Sequence, residues 1–322
     1  METLYCGIDI GGTTTNIGLV DANGVIKGWR QILTNVAEGP ASLADRVSAI
    51  VDELCELDGG RKPAACGIGI PGVVQHDLGV LNVATNFPGW TSIPLTQLFA
   101  ERMRLPVFIE NDANAAAFGE LIFGAGRGCR DMLMVTLGTG VGGGLVLDGS
   151  IYRGAFGKAG EFGHMSINFF GKKCACGRRG CIEAYIKASA LVNSALEIAA
   201  EVRDSLIHTC TRESLTSKII YEFACKGDTV AKQVFHKAGE YLGIGLGNVA
   251  NLLDLERFVI GGAVSGAGEY LLVPARAKLQ EIALANPRGK VPSIVPAELG
   301  QAAGVVGAAT LAMRQQSITK NH

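Results

Sequence analysis

A chain of 322 residues can bury a core without disulfide staples and has room for two ordinary domains. Its 29 basic and 30 acidic residues leave a net charge of −1, which excludes a nucleic-acid protein relying on bulk charge, though not a small local basic site. At 48% hydrophobic and 18% charged residues the chain is not disordered, and its 44 glycines follow no G-x-y period, which excludes collagen.

In chain order, Leu4–Ile10 reads as a strand, Gly11-Gly12-Thr13 as a turn and Ile17–Val20 as a second strand. Asp21-Ala22-Asn23-Gly24 marks a hairpin into a third, Val25–Ile32. Leu43, Val47, Ile50, Val51, Leu54 and Leu57 recur at helical spacing. Ala64–Ile70 is a buried-looking strand closed by Pro71-Gly72, and Val107–Ile109 runs into a helix over about 112–123. A second half then opens like the first, with strand Met132–Leu137, turn Gly138-Thr139-Gly140 and strand Gly144–Leu147. At an offset of 126 residues, Gly12-Thr13 falls on Gly138-Thr139 and Gly18-Leu19-Val20 on Gly144-Leu145-Val146. A duplicated strand–turn–strand unit leaves such a trace, as does chance. Further on, helices are predicted at about 184–202, 229–253, 268–285 and 303–314, with a strand over Arg257–Ile260. Strands alternating with helices predict α/β layers.

No membrane segment is expected. Met1-Glu2-Thr3-Leu4 is not a basic leader, and the apolar run Ala302–Met313 is too short for about 30 Å of hydrocarbon. Nine cysteines, six of them scattered, do not form a disulfide framework, so reduced thiols in a cytoplasm are expected.

Three glycine loops stand out. Asp9-Ile-Gly-Gly-Thr13 sets a carboxylate beside a turn of small residues whose N–H groups can approach a phosphate, with Mg²⁺ between the two anions. A tight hairpin explains Gly11, Gly12 and Thr13 equally well. Gly138–Gly143 is a literal G-x-G-x-x-G, but Leu145-Val146-Leu147 continues as a strand, so the dinucleotide reading fails. Gly138, Thr139 and Gly140 would instead hold triphosphate from the side opposite Asp9. Gly261 and Gly262 suit an adenine or ribose contact, or a structural turn. No G-x-x-x-x-G-K-[ST] motif is present.

Asp112, at the start of its helix, reads as a capping residue or, beside Asn111 and Asn114 and a bare Ala115–Ala117 surface, as a general base for a hydroxyl. His164, Cys174, Cys176 and Cys181 form a Cys₃His set within eighteen residues, predicting structural Zn²⁺ with no open position for catalysis. A redox pair or incidental thiols are the alternatives. Glu161 and Glu183 flank the set as a glycosidase pair, as solvated charge or as acceptors for sugar hydroxyls.

Together these residues resemble the ROK family (repressors, open reading frames and kinases), and within it the ATP-dependent bacterial glucokinase branch. The motifs are Asp9-Ile-Gly-Gly-Thr13, Glu110-Asn-Asp-Ala-Asn-Ala-Ala-Ala117, Leu137-Gly-Thr-Gly-Val-Gly-Gly-Gly144, Gly160-Glu-Phe-Gly-His164 and Cys174-Ala-Cys-Gly-Arg-Arg-Gly-Cys-Ile-Glu183. One departure is Phe162, where many relatives carry an aliphatic residue. The resemblance implies an actin-like ATPase (ribonuclease H-like) fold, two lobes around a cleft. The small lobe would hold 1–118 and about 300–322, and the large lobe 119–299 with the zinc loop 164–181. It implies Asp112 as the base, Asn111, Glu161, His164 and Glu183 on the sugar, and a sugar loop over Thr85–Trp90 that includes Asn86. It implies phosphoryl transfer from MgATP to the 6-hydroxyl of glucose or, as runner-up, of an N-acetylated hexosamine or another hexose, in a homodimer or homotetramer. Repressors of the family resemble this chain after an added helix-turn-helix. A strand beginning by Leu4 leaves no room for one, so no nucleic-acid partner is expected. A sugar sensor without turnover is expected to lack Asp9 or Asp112, and both are present.

Overall fold

The computed structural model describes residues 2–84, 87–285 and 289–320. Its elements are β1 (Leu4–Ile10), β2 (Thr14–Asp21), β3 (Ile26–Leu33), α1 (Gly39–Leu57), β4 (Cys66–Ile70), β5 (Val73–Gln75), β6 (Val80–Val83), β7 (Thr91–Ile93), α2 (Leu95–Met103), β8 (Val107–Asn111) and α3 (Asp112–Phe123). They continue with β9 (Met132–Leu137), β10 (Val141–Leu147), β11 (Ser150–Ile151), α4 (Glu183–Ile186), α5 (Ala188–Ala199), α6 (Ser217–Cys225), α7 (Thr229–Leu253), β12 (Arg257–Gly261), α8 (Glu269–Ile282), β13 (Ser293–Pro296) and α9 (Ala303–Lys320).

Two five-stranded sheets have the orders β3-β2-β1-β4-β8 and β11-β10-β9-β12-β13, and β5-β6-β7 form a small third sheet. In the first, β1 pairs antiparallel with β2 and parallel with β4, and β4 is parallel to β8. In the second, β10–β11 is antiparallel, and β9–β12 and β12–β13 are parallel. The same order built twice is the duplication that the 126-residue offset foreshadows.

The chain divides into two compact units, one of residues 1–128, 144–160 and 298–322, the other of 129–143 and 161–297. These bounds differ from the expected ones. α3 runs past 118 without a break, and residues 144–160 group with the first unit. In that unit α1 buries Leu43, Ala44, Val47, Val51 and Leu54, its apolar stripe, in the core shared with Ile8, Ile10, Ile17 and Ile68 of the sheet. α9 packs close to the sheet because a Cβ on Gly7 or Gly67 would overlap the Val305 or Ala308 carbonyl oxygen. In the second unit the long α7 presents Gly239 and Gly243 to the backbone of α8. The helix expected over 184–202 is broken at Lys187, whose extended backbone (φ −69°, ψ 160°) separates α4 from α5. Among the described residues no helix is long and apolar enough to cross a membrane.

Candidate active site

In the first unit the parallel strands β1, β4 and β8 end at one edge of the sheet, where ligands of α/β proteins bind. The register places Asp9 beside Gly69 and Gly69 beside Glu110. Asp9 lies under the glycine turn, its Oδ2 accepting from Asn16 Nδ2 at 3.3 Å. Burial pushes its carboxyl above the usual range against the opposing pull of that bond. A Cβ on Gly304 would stand 2.5 Å from the Asp9 Cγ, so this glycine is what lets α9 come against the carboxylate. The turn is tied down from beneath. Gly11 N donates to Thr14 O at 2.9 Å and Thr34 Oγ1 to Gly11 O at 2.6 Å, while Gly12 and Thr13 are exposed.

Two strands away, β8 turns into α3. Asn111, with extended backbone, is the capping residue, and its Oδ1 accepts from Ala113 N at 3.0 Å and Asn114 N at 3.2 Å. This corrects the capping assignment to Asp112. The cap position is filled by Asn111, and Asp112 is the first helical residue, half-buried, with Oδ1 2.9 Å from Ala113 N. Two strand spacings, about 10 Å, separate the backbone of Asp9 from that of Glu110, two residues before Asp112. Sequence reasoning missed the roles of Glu110 and Arg153. Glu110 is buried and accepts from Asn111 N and Asn114 Nδ2, both at 3.0 Å, and from Arg153 Nε at 2.7 Å. A charge closing the apolar run Val107–Ile109 was the available signal. Asn86 lies outside the described residues.

In the second unit, β9 and β12 are parallel neighbours, so the Gly138–Gly140 turn and the Gly261–Gly262 loop stand side by side. Gly262 has φ +85°, and a Cβ there would overlap the Leu137 backbone, which gives this glycine a structural reason of its own. Thr139 and Gly140 are exposed. Three supports meet at this turn. Ala188 N, at the start of α5, donates to Gly138 O at 2.9 Å. Val141 N donates to Glu183 Oε2 at 3.1 Å. Gly163, in a 3-10 turn over Phe162–His164, packs so close to the Val141 carbonyl that a Cβ would overlap it. Glu161 and His164, both exposed, bracket this turn, whose Phe162 is buried and packs against Gly245. Beside α5, a pocket of about 360 Å³ is lined by Ala188, Ser189, Val192, Asn193, Arg212 and Leu215, among others. No motif had marked it.

His164, Cys174, Cys176 and Cys181 converge, their ligand atoms all within 4.8 Å of one another. Cys176 Sγ is 3.6 Å from Cys181 Sγ, and Cys174 Sγ is 3.9 Å from His164 Nδ1. A tetrahedral ion with metal–sulfur bonds of about 2.3 Å has edges of about 3.8 Å, close to the spacing of these two pairs. The loop between them has almost no core, and is shaped by backbone bonds such as Cys174 N to Arg178 O (2.8 Å) and Gly180 N to Lys172 O (2.9 Å). Burial pushes the Cys181 thiol up to about 12, while the Arg178 backbone N–H, the largest influence, draws Cys176 down to about 7. Glu183 joins this cluster to the glycine turn, its Oε1 lying 3.8 Å from Cys174 Sγ and 3.5 Å from Lys187 Nζ.

The model of the ROK family matches residues 5–315. This chain belongs to the ROK family. It is 37% identical over 320 residues to a glucokinase of Halalkalibacterium halodurans, covering 97% of this chain and 96% of that protein. It superposes with a TM-score of 0.83 on a ROK family glucokinase from Streptomyces griseus in complex with glucose and AMPPNP, at 37% identity, over 97% of this chain and 99% of that one. It is also 30% identical to the xylose repressor of Bacillus subtilis over 95% of this chain, but over 76% of the repressor. The fold is the actin-like ATPase fold that the motifs led us to expect.

Proposed function

We propose that the chain is an ATP-dependent hexose kinase that moves the γ-phosphoryl group of ATP to the 6-hydroxyl of D-glucose. The observation that carries this reading is Asp112, a carboxylate at a helix start already capped by Asn111, on the same sheet edge as Asp9. The full-length likeness to glucokinases supports it. Asp112 takes the proton of the sugar hydroxyl as its oxygen bonds to the γ-phosphorus, and the bond from phosphorus to the bridging oxygen breaks to release ADP. Asn111, Glu161, His164 and Glu183 orient the sugar, as does Asn86. The glycine turns at 11–13 and 138–140 cradle the phosphates with backbone N–H groups, and the pocket beside α5, together with Gly261 and Gly262, takes the nucleoside. Asp9 would hold Mg²⁺. A half-buried carboxylate beside an exposed glycine turn suits a cation, which would supply charge neutralisation between phosphate oxygens. His164, Cys174, Cys176 and Cys181 would hold structural Zn²⁺. The reading places a reduced-thiol enzyme in the cytoplasm, without nucleic-acid partners, as two or four copies.

The test is ADP release over glucose, mannose, fructose, allose, N-acetylglucosamine and N-acetylmannosamine. Glucose should give the highest kcat/KM, and a higher value for an acetamido sugar would move the assignment to that substrate. Asp112→Asn should lose about 10²–10⁴ in kcat while still binding glucose in equilibrium dialysis.

A further inference from the structure

We infer that Arg153 is a positioning residue for phosphoryl transfer, acting through Glu110 on the turn that carries Asp112. The inference rests on Asp112 being the base.

The Glu110 side chain is 3% exposed and that of Arg153 is 31%. Two guanidinium nitrogens grip the same carboxylate oxygen, Nε at 2.7 Å and Nη2 at 2.5 Å from Oε2. That leaves the other oxygen, Oε1, for the strand–helix turn, where it accepts from Asn111 N and Asn114 Nδ2 at 3.0 Å each. Asn111 in turn caps α3, and its Nδ2 donates to Gly72 O at 3.3 Å. Asp112 is therefore held on both sides, by the residue before it through Glu110 and by the N–H after it through the cap. The Asn114 amide is committed to this network, since its Nδ2 faces Glu110 while its Oδ1 is buried without a protein partner.

Neither neighbour can do this work alone. A buried carboxylate without its cation protonates, which weakens Oε1 as an acceptor, or swings towards water, which takes that acceptor from the Asn111 N–H. A lysine restores the charge but not the pair of N–H groups that grips Oε2. Arg153 lies 43 residues from Glu110, at the head of a loop closed by Ala159 N donating to Arg153 O at 3.0 Å. That loop leads in sequence to Glu161.

The experiment compares Arg153→Met, Arg153→Lys, Glu110→Gln/Arg153→Met and Asp112→Asn in steady-state kinetics and thermal unfolding. Arg153→Met should lower kcat by about 10²-fold, the cost of a base displaced by a fraction of a bond length to an ångström, with the KM for ATP unchanged. Arg153→Lys should fall between. The double variant removes both charges and should regain thermal stability, because no buried ion is left unpartnered, while kcat stays low because nothing orients the amide. A pair that only holds the fold predicts instead that kcat recovers together with Tm, and that result overturns the inference. Wild-type kcat in Arg153→Met beside an inactive Asp112→Asn overturns it too, leaving the base assignment standing. An active Asp112→Asn removes the base assignment and this inference together. If Arg153→Met does not fold, the lysine and double variants carry the same comparison.

Discussion

Asp9 lies at the end of β1 and Asp112 just past the end of β8 in the same sheet, yet their surroundings set them different tasks. Asp112 lies in a turn whose backbone is fully tied by Asn111 and Glu110. Asp9 is pressed against α9 at Gly304, with one long bond to Asn16, and burial raises its pKa from 3.8. A carboxyl that holds its proton more tightly when folded loses stability as pH rises from the unfolded pKa through the raised folded one. The loss persists at neutral pH until a cation meets the charge. Asp9→Asn should therefore melt higher than the natural chain at pH 7 without nucleotide, and the difference should vanish as pH falls below 3.8. MgATP should raise the Tm of the natural chain more than that of the variant, whose KM for ATP should rise. Thermal scans across pH with and without MgATP check this, and equal MgATP shifts in both proteins remove the cation role.

At the scale of elements, the loop from His164 to Cys181 is held by short backbone bonds and four converging donors rather than by a core. With zinc bound, three thiolates are compensated at a single point. Without it, loop order rests on bonds that water can replace. Glu183 touches both Cys174 and the Val141 N–H, so disorder here reaches the glycine turn. Elemental analysis should return about one zinc per chain. Cys176→Ser should raise the glucose KM and lower kcat, with a weaker effect on the KM for ATP, and fully active metal-free protein contradicts the assignment. The loop shows what sequence reveals most readily. Its four donors sit within eighteen residues, so spacing alone predicts the cluster in which they converge. The strands and long helices were legible for a similar reason, since β1 and β9 are local apolar runs bounded by glycine turns and α7 is a long helical stretch. The three- and four-residue strands β5, β6 and β7 are too short to show alternation. α2 and α6 went unpredicted although Thr216 caps α6, its Oγ1 accepting from Ile219 N at 3.2 Å. The break at Lys187 hides inside an unbroken helical composition. The pairs Glu110–Arg153 and Glu183–Val141, 43 and 42 residues apart, are matched by sheet register and loop path, which no local pattern encodes.

Across the whole molecule, the first sheet is completed by the last helix. β1 begins at Leu4 and α9 at Ala303, yet Val305 and Ala309 pack with Val20 in one buried cluster. The approach is backbone to backbone. Gly7 and Gly67 face carbonyl oxygens of α9, and Gly307 on α9 faces the Ala115 carbonyl of α3, where no Cβ fits. α9 is thus wedged between the sheet that ends in Asp9 and the helix that begins with Asp112, and its seating sets the ground under both carboxylates. Gly67→Ala tests this. In a strand, alanine is ordinarily no worse than glycine, so propensity predicts little change or a small gain. Overlap with the Ala308 oxygen predicts the opposite, and a backbone carbonyl cannot rotate out of the way as a side-chain tip can. The variant should lose about 1–3 kcal/mol in urea unfolding, the range of an overpacked core, through a lower midpoint at constant m. Gly266→Ala is the control. An added Cβ meets nothing within 4 Å there, and a change within about 0.5 kcal/mol is expected. The kinetics should also part company. A shifted α9 disturbs Asp9 through Gly304 and Asp112 through α3, so surviving Gly67→Ala enzyme should show a reduced kcat at temperatures where it remains folded. Unaltered stability and kcat in Gly67→Ala, with Gly266→Ala behaving the same, would remove the wedge from the account of how the two carboxylates are held.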